Sequence, residues 1–327
     1  METVSQNPSA QAAAIGYDAL RSSAAWLDLS ARGKILATGE DRARLLHAMT
    51  TNQVQELKPG QGCYTFFLSA QGRIQGDGNL FCRAEDILLD VEPETRQSLR
   101  EHLDKFIIAD DVTLVDATDR TFTLDLEGPL ALAQAGRLGI PVPEKPWSHT
   151  GWQQVMVARV SFTGAPGLRF FGPVEEKPRL IEQLHSAGAT EAAPDAVRIV
   201  RLEHFTPRYG DDIFATTLTQ ETQQLHAVSF NKGCYIGQEV VERVRSRGLV
   251  HRLLVGVEIE SSEVPQPEAR LYRGEENVGK VTSAAFSPAL GKVVSLAYVR
   301  RELAEPGTLL TVNGAPAGVR AVYCPAV

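Results

Sequence analysis

Apolar positions in the first third of the chain recur with the two-residue period of strands and the 3.6-residue period of helices. The predicted order is a strand, a helix, three meander strands, a second helix and a closing strand, at residues 34–38, 40–49, 63–68, 80–83, 87–91, 93–106 and 112–115. Gly76 and Gly78 mark a turn within the meander. This order is close to the split β-α-β arrangement of ferredoxin-like units.

A similar order follows in the middle of the chain. Strands and helices are predicted at residues 121–126, 130–138, 155–162, 168–171 and 180–184. Pro141, Pro143 and Pro146 imply an extended loop inside this region. We therefore expect an architectural duplication, although residue identity between the halves is slight.

From residue 251 onward, short apolar runs alternate with Gly, Pro and Asn-Gly turns, which favours a small β-barrel. The sequence thus predicts an α+β protein with three domains. They are two ferredoxin-like domains at residues 1–118 and 119–250, and a C-terminal β-barrel at residues 251–327. A length of 327 residues with 43% hydrophobic content is enough for two or three compact cores.

The formal net charge of -7 argues against a protein held on nucleic acid or an anionic membrane by its overall field. No direct nucleic-acid partner and no membrane partner is therefore expected. The four cysteines stand far apart, without a CxxC pair or a His/Cys cluster at metal-ligand spacing, so no metal site is predicted. Their spacing and the polar N-terminus without a secretion signal favour a reducing compartment, the cytoplasm.

The most specific motif is Lys232-Gly233-Cys234-Tyr235-Ile236-Gly237-Gln238-Glu239. Two glycines four residues apart bracket the cysteine and permit a tight backbone course, while Lys232 and nearby arginines are placed to stabilise a thiolate. On this interpretation Cys234 is a reactive, catalytic group. The alternative is that Cys234 is a small side chain packed beside Tyr235, since free cysteines are usually buried. The residue types alone leave both interpretations open.

This motif, followed by Arg243 and residues 247–253, resembles the YgfZ folate-binding family and its mitochondrial iron–sulfur assembly relatives. The resemblance covers nearly the whole chain, and further matching segments lie at residues 50–52, 59–61, 71–73, 201–203, 210–211, 281–283 and 287–291. The broader superfamily is that of the glycine cleavage T-protein. Membership implies a T-protein-like, three-domain cloverleaf around a tetrahydrofolate pocket.

The resemblance also implies site residues. Asp77 matches the second aspartate of a T-protein turn, whose carboxylate faces folate N10, whereas Gly76 replaces the first aspartate. Tyr64 falls on a tyrosine of that pocket, and Asp90 lies where the family usually has asparagine. Glu203 matches a glutamate used against the pterin ring, because a carboxylate accepts paired hydrogen bonds from an amino-pyrimidine edge.

Each of these carboxylates also has a purely structural interpretation. Glu203 alternatively forms a helix-surface ion pair with Arg198 or Arg201. Asp77 alternatively bonds its own backbone in a turn.

Basic residues beside the cysteine motif complete the predicted folate-binding set, which includes Lys232 and Arg243. Arg243, Arg245, Arg247 and Arg252 alternate as in a strand, and they are candidates to pair with the glutamates of folate or with RNA phosphates. A solvated edge strand is the alternative, and no aromatic interleaving supports the RNA interpretation.

These features lead to two functional hypotheses. The first is a tetrahydrofolate-binding protein that acts in iron–sulfur cluster assembly or repair, and thereby indirectly in tRNA modification. Its transient partners would be iron–sulfur assembly or client proteins. The alternative is a folate-dependent aminomethyltransferase. Because Gly76 interrupts the acidic pair and the cysteine motif is foreign to ordinary T-proteins, we expect no ordinary enzymatic turnover.

Overall fold

The computed structural model describes residues 15–248 and 250–325. Within them the chain forms two sheet domains with helices and a closed six-stranded barrel, which confirms the predicted α+β fold class. The first 14 residues of the predicted N-terminal domain and the last two of the predicted barrel domain lie outside the described residues.

The elements of the first part of the chain are α1 (Tyr17–Ser22), β1 (Ala25–Asp28), β2 (Gly33–Thr38), α2 (Arg42–Met49), β3 (Gln61–Leu68), β4 (Ile74–Cys82), β5 (Ile87–Val91), α3 (Arg96–Asp104) and β6 (Thr113–Asp116). The first sheet is antiparallel and has the order β3-β4-β5-β2-β6. This is a ferredoxin-like order with β3 added at one edge. Helices α2 and α3 bury Leu46 and Leu99 against it.

The predicted turn at Gly76 and Gly78 is wrong, because both glycines lie inside β4. A Cβ at Gly76 would lie 2.8 Å from Leu99, and one at Gly78 would lie 2.8 Å from Val91. The glycines therefore make room on one face of β4 for Leu99 of α3 and for the Val91 side chain of the neighbouring strand β5. Asp77, between them, points to the opposite face, since successive side chains of a strand alternate.

The elements of the second part are β7 (Thr121–Glu127), α4 (Ala131–Arg137), β8 (His149–Trp152), β9 (Val155–Ala158), β10 (Gly167–Pro173), α5 (Lys177–Ser186), β11 (Thr190–Glu191), α6 (Pro194–Glu203) and α7 (Gln238–Arg247). The second sheet has the order β11-β1-β7-β10-β9-β8. It repeats the order of the first sheet, with β1 inserted between β11 and β7. The N-terminal strand thus pairs with the second sheet, while the domain boundaries at residues 118 and 250 stay a prediction.

The C-terminal strands are β12 (Arg252–Ile259), β13 (Arg270–Arg273), β14 (Glu276–Ser287), β15 (Lys292–Arg300), β16 (Leu309–Val312) and β17 (Ala315–Arg320). They close into a barrel through the pairing of β12 with β17. Leu202 of α6 packs in one cluster with Leu254 and Leu296 of the barrel, which fixes the barrel against the second sheet domain. No helix of residues 15–248 and 250–325 has the length and apolar character needed to cross a membrane.

Candidate functional site

A cavity of about 340 Å³ lies between the two sheet domains and beneath the C-terminal tail. The first domain contributes Tyr64, Asp77 and Asn79 to its wall. The second domain contributes the loop between β9 and β10, and residues 323 and 325 of the tail cover one side. Its size and its mixture of aromatic and charged groups are typical of a small-molecule site.

Asp77 and Tyr64 face this cavity from adjacent strands. Asp77 pairs with Phe66 in the register of β3 and β4, so Tyr64 lies diagonally across from it. The Tyr64 hydroxyl donates a 2.6 Å hydrogen bond to Asp77 Oδ2. Burial and the nearby Glu92 raise the pKa of Asp77 to about 7, while Tyr64 and Arg32 act in the opposite direction. Asp77 can therefore take up or release a proton near neutral pH.

An aromatic stack forms the wall beside Asp77. His226 lies between Tyr64 and Trp147, with ring centroids 5.4 Å apart on each side. Burial lowers the pKa of His226 to about 4, so the ring is neutral near pH 7. Asn52 fixes two members, because its side-chain amide donates to the carbonyls of Tyr64 and His226 at 2.8 and 3.0 Å. Trp147 Nε1 donates to Asn79 Oδ1 at 2.9 Å, which joins the two sheet domains.

Asp90 is fully buried and lies behind the cavity wall instead of lining it. Arg32 Nε donates to Asp90 Oδ1 at 2.6 Å, and Arg169 donates to Asp90 Oδ2. Burial would raise the pKa of Asp90, but Arg32 and Arg169 outweigh it and lower that pKa to about 2. The structure therefore places Asp90 behind the arginines of the cavity wall, and its predicted contact with folate stays a prediction. This carboxylate holds two arginines that themselves line the cavity.

Glu203 also lies outside the cavity lining. It ends α6 and accepts hydrogen bonds from the hydroxyls of Tyr17 and Ser287. Arg21 Nε pairs with it at 3.1 Å. The structure thus does not bring Glu203 together with Asp77 and Tyr64, because its carboxylate ties α1 and the barrel to the end of α6.

Lys232 is buried and lies outside the cavity lining, and its predicted contact with folate stays a prediction. Its ammonium donates to the carbonyls of His47, Thr50 and Asn52. Burial lowers the pKa of Lys232 to about 7, whereas three carbonyl acceptors match the three donors of an ammonium and favour the charged form. These hydrogen bonds therefore hold the cysteine motif against the end of α2 and the segment that follows it.

Cys234 is exposed and is not part of the cavity wall. Next to it, Ile236 N donates to the Ala48 carbonyl at 3.0 Å. Gly237 has a φ of 82° and lies so close to Ser69 that a Cβ would be 2.7 Å from its carbonyl oxygen. The loop is thus fixed while the thiol faces solvent, and the interpretation of Cys234 as a buried packing residue is wrong.

The predicted strand-like basic run is wrong too, because Arg243, Arg245 and Arg247 lie on α7. Arg243 is exposed and does not line the cavity. Val241 and Val244 are the buried residues of this helix, so the alternating arginines fall on its solvent side.

Sequence reasoning missed several residues of the cavity wall. Arg32, Trp147, Arg159 and His226 all line the cavity, although none belongs to a motif. Trp147 precedes β8, in the segment where the proline-rich composition only indicated an extended loop. Arg159 follows β9, which ends at Ala158 and not at residue 162 as predicted. No group of three or more His, Cys, Asp or Glu side chains suited to a metal ion occurs in the part of the chain that the structure describes.

Family models match almost the whole chain. The model described as the GCVT N-terminal domain matches residues 5–232, and that of the glycine cleavage T-protein C-terminal barrel domain matches residues 252–326. The chain therefore belongs to the glycine cleavage T-protein family. The YgfZ-type resemblance is a finer assignment within this superfamily.

Individual relatives agree with the family. An aminomethyltransferase of Rubrobacter xylanophilus is 30% identical over 320 residues, which cover 94% of this chain and 84% of the relative. An aminomethyltransferase of Thermosynechococcus vestitus is 28% identical over 315 residues, with coverages of 94% and 86%. The crystal structure of glycine cleavage system aminomethyltransferase T from Bartonella henselae has a TM-score of 0.85 at 23% identity and covers 93% of this chain and 87% of its own. It shows that the fold is the same.

Proposed function

We propose that the chain binds tetrahydrofolate in the central cavity and supports one-carbon transfer there, with Asp77 as the proton-transferring group. The observation that carries the proposal is the Asp77–Tyr64 hydrogen bond in a cavity between two domains. The pKa of its carboxyl group, Asp77, is about 7. The family membership and the aminomethyltransferases among the relatives support the same activity. This proposal therefore places the aminomethyltransferase ahead of the assembly factor that the motif favoured.

The chemistry of the cavity wall suits this ligand. The flat stack of Tyr64, His226 and Trp147 offers an apolar surface to a planar ring or an aminobenzoyl group. Asp77 and the Asn79 amide supply acceptors for N–H groups. Arg159, which also lines the cavity, makes it suitable for an anionic tail.

Asp77 is suited to proton transfer for a physical reason. Tetrahydrofolate supplies two nitrogen nucleophiles, each of which loses a proton when it takes up the carbon unit. A group with a pKa of about 7 accepts such a proton and passes it on with little free-energy change. The Tyr64 hydroxyl orients the carboxylate through its hydrogen bond. Gly76, which replaces an acidic residue of the family pattern, lies on the opposite face of β4 and leaves this arrangement intact.

Calorimetry with tetrahydrofolate tests binding. Asp77→Asn is expected to weaken binding by about 10- to 100-fold, because one charge-assisted hydrogen bond contributes about 1.5–3 kcal/mol. Asp104→Asn is the matched control, since this exposed carboxylate of α3 lies outside the cavity lining, and its affinity should change by less than about twofold. Absence of tetrahydrofolate binding to the wild-type chain would refute the proposal.

The exposed Cys234 favours a second candidate function, in iron–sulfur cluster assembly or repair. Lys232 and Gly237 hold this loop in place, yet the thiol itself faces solvent and no partner is needed to expose it. A fixed, accessible thiol is suited to transient contact with iron or with a partner thiol. The YgfZ-type motif supports this role, with assembly or client proteins as partners and an indirect effect on tRNA modification.

Cys234→Ser tests the second candidate. Serine retains the shape, but its hydroxyl stays protonated near neutral pH and is a poor ligand for soft iron. The variant should keep its melting temperature and its tetrahydrofolate affinity, while it fails to restore cluster-dependent tRNA methylthiolation in a deletion strain. Cys324→Ser, at the other exposed cysteine, is the control. If Cys234→Ser fully restores tRNA methylthiolation, the assembly role of Cys234 is refuted. Tetrahydrofolate binding and one-carbon transfer in the cavity then remain as the proposed function.

We also propose a cytoplasmic location. All four cysteines are free, which suits a reducing compartment. Tryptic peptides from fractionated cells, followed by mass spectrometry, would locate the protein.

A further inference from the structure

Five arginines line the central cavity, and four of them are neutralised by carboxylates of the chain. Arg32 and Arg169 bind Asp90; the other paired arginines are Arg201, with Asp211 and Asp212, and Arg208, with Glu92, Glu94 and Asp211. Arg159 is the fifth, and within residues 15–248 and 250–325 it forms no ion pair. Its positive charge is therefore available to a ligand.

The backbone of Arg159 is held beside the aromatic stack. Arg159 N donates to the Ser148 carbonyl at 2.9 Å, and its own carbonyl accepts from Trp147 N at 2.9 Å. The side chain is half-buried at the cavity wall. A guanidinium on a fixed backbone loses less conformational freedom when it binds an anion than one on a mobile loop.

Tyr323 of the C-terminal tail supplies a second donor at the same end of the cavity. Its backbone N donates to the Phe205 carbonyl at 3.0 Å, and its carbonyl accepts from Gln224 Nε2 at 2.9 Å. Burial, with the nearby Glu127 and Cys324, raises the pKa of the Tyr323 hydroxyl, and the positive charge of Arg159 acts in the opposite direction. The hydroxyl thus remains protonated at neutral pH and can donate a hydrogen bond.

We propose that Arg159 and Tyr323 form an anion-binding pair that takes a carboxylate of the glutamyl tail of a folate. This inference rests on the proposed function and identifies which end of the cavity receives the tail. A guanidinium binds a carboxylate through two parallel hydrogen bonds, and the phenol adds a third donor. The pair replaces Arg243, the residue to which the sequence assigned this contact, because Arg243 lies on the outer face of α7.

Calorimetry with three probes separates the tail from the ring. The probes are tetrahydrofolate, a methyltetrahydropterin that lacks the tail, and p-aminobenzoyl-glutamate, which lacks the pterin. Arg159→Ala should weaken binding of the two tail-bearing probes by about 10- to 100-fold, as expected for a lost charge-assisted contact. Binding of methyltetrahydropterin should change by less than about twofold.

Tyr323→Phe should weaken the same two probes in the same direction and leave methyltetrahydropterin unaffected. Arg137→Ala is the control, because it removes a positive charge from an exposed position of α4 that does not line the cavity. It should leave all three affinities unchanged.

Other outcomes overturn the inference in distinguishable ways. If Arg159→Ala binds tetrahydrofolate as tightly as Arg137→Ala does, the anion-binding pair is refuted while folate binding stands. If Arg159→Ala weakens all three probes equally, the residue shapes the cavity and does not receive the tail. If the wild-type chain binds none of the probes, the proposed function and the anion-binding pair fail together.

Discussion

Asp77→Asn is expected to lower the rate of tetrahydrofolate-dependent release of ammonia from an aminomethyl-lipoyl carrier protein by about 10²- to 10⁴-fold, the usual contribution of a positioned acid–base group. Asparagine retains the shape of the side chain and can still contact the Tyr64 hydroxyl, but it cannot exchange a proton. The assay measures ammonia and methylenetetrahydrofolate at saturating tetrahydrofolate, so that weaker binding does not contribute. An equal rate in wild type and variant would exclude Asp77 from proton transfer.

The pH dependence sharpens this test. If Asp77 accepts a proton in its ionised form, kcat/KM of the wild type should rise as pH increases through about 7, the pKa of this carboxyl. The rise should vanish in Asp77→Asn. Asp104→Asn, the control outside the cavity, should keep both the rate and the pH profile. If the wild-type protein shows no turnover in this assay, the cluster-assembly function of Cys234 becomes the favoured of the two proposed functions.

The same carboxyl also affects stability with a defined sign. The folded-state pKa of Asp77 is raised from 3.8 to about 7, so the folded state binds more protons than the unfolded state between these values. The contribution of Asp77 therefore favours folding at low pH and is lost as pH rises through about 7. Consequently the stability of Asp77→Asn relative to the wild type should increase between about pH 4 and about pH 8. Urea denaturation at several pH values measures this, and the same experiment shows whether the variant is folded under the conditions of the activity assay.

Periodicity predicted the fold well because each sheet buries its strands against helices. The predicted strand at residues 34–38 and helix at residues 40–49 correspond to β2 and α2, whose apolar faces form one core. Two local sequence features led to wrong predictions of secondary structure. Glycines at positions 76 and 78 are typical of a turn, but here the missing Cβ atoms admit Leu99 and Val91. Alternating arginines suggested a strand, although Val241 and Val244 have the spacing of a helix.

The cavity was only partly predictable for a geometric reason. Tyr64 and Asp77 lie on neighbouring strands of one sheet, so a motif within one domain places them together. Trp147 and Arg159 reach the same cavity from the second domain, and their contact depends on how the two sheets pack. Glu203 is a different case. Its motif locates the residue at the end of α6 but does not determine the direction in which the carboxylate points.

A buried ion-pair network joins the two sheet domains beneath the cavity, and its central residue is Arg169. Arg169 Nε and Nη2 donate to both carboxylate oxygens of Asp125 at 2.7 Å, while Nη1 donates to Asp90 of the other sheet. The side chains of Asp90 and Asp125 are fully buried. Asp90 would keep Arg32 and Asn79 if Arg169 were removed, whereas Asp125 would lose its ion-pair partner.

Arg169→Met is therefore expected to lower the free energy of unfolding by about 3–5 kcal/mol, the usual cost of leaving a buried charge unpaired. Methionine retains much of the apolar stem, so the loss reports mainly on the charge. Urea denaturation measures it. Arg44→Met is the control, because Arg44 pairs with Asp110 while its side chain is 60% exposed, and it should have little effect on stability, since exposed ion pairs contribute little. The double variant Arg169→Met/Asp125→Leu should recover part of the loss, since the unpaired carboxylate is gone. If Arg169→Met costs no more than Arg44→Met, the network does not hold the two domains together.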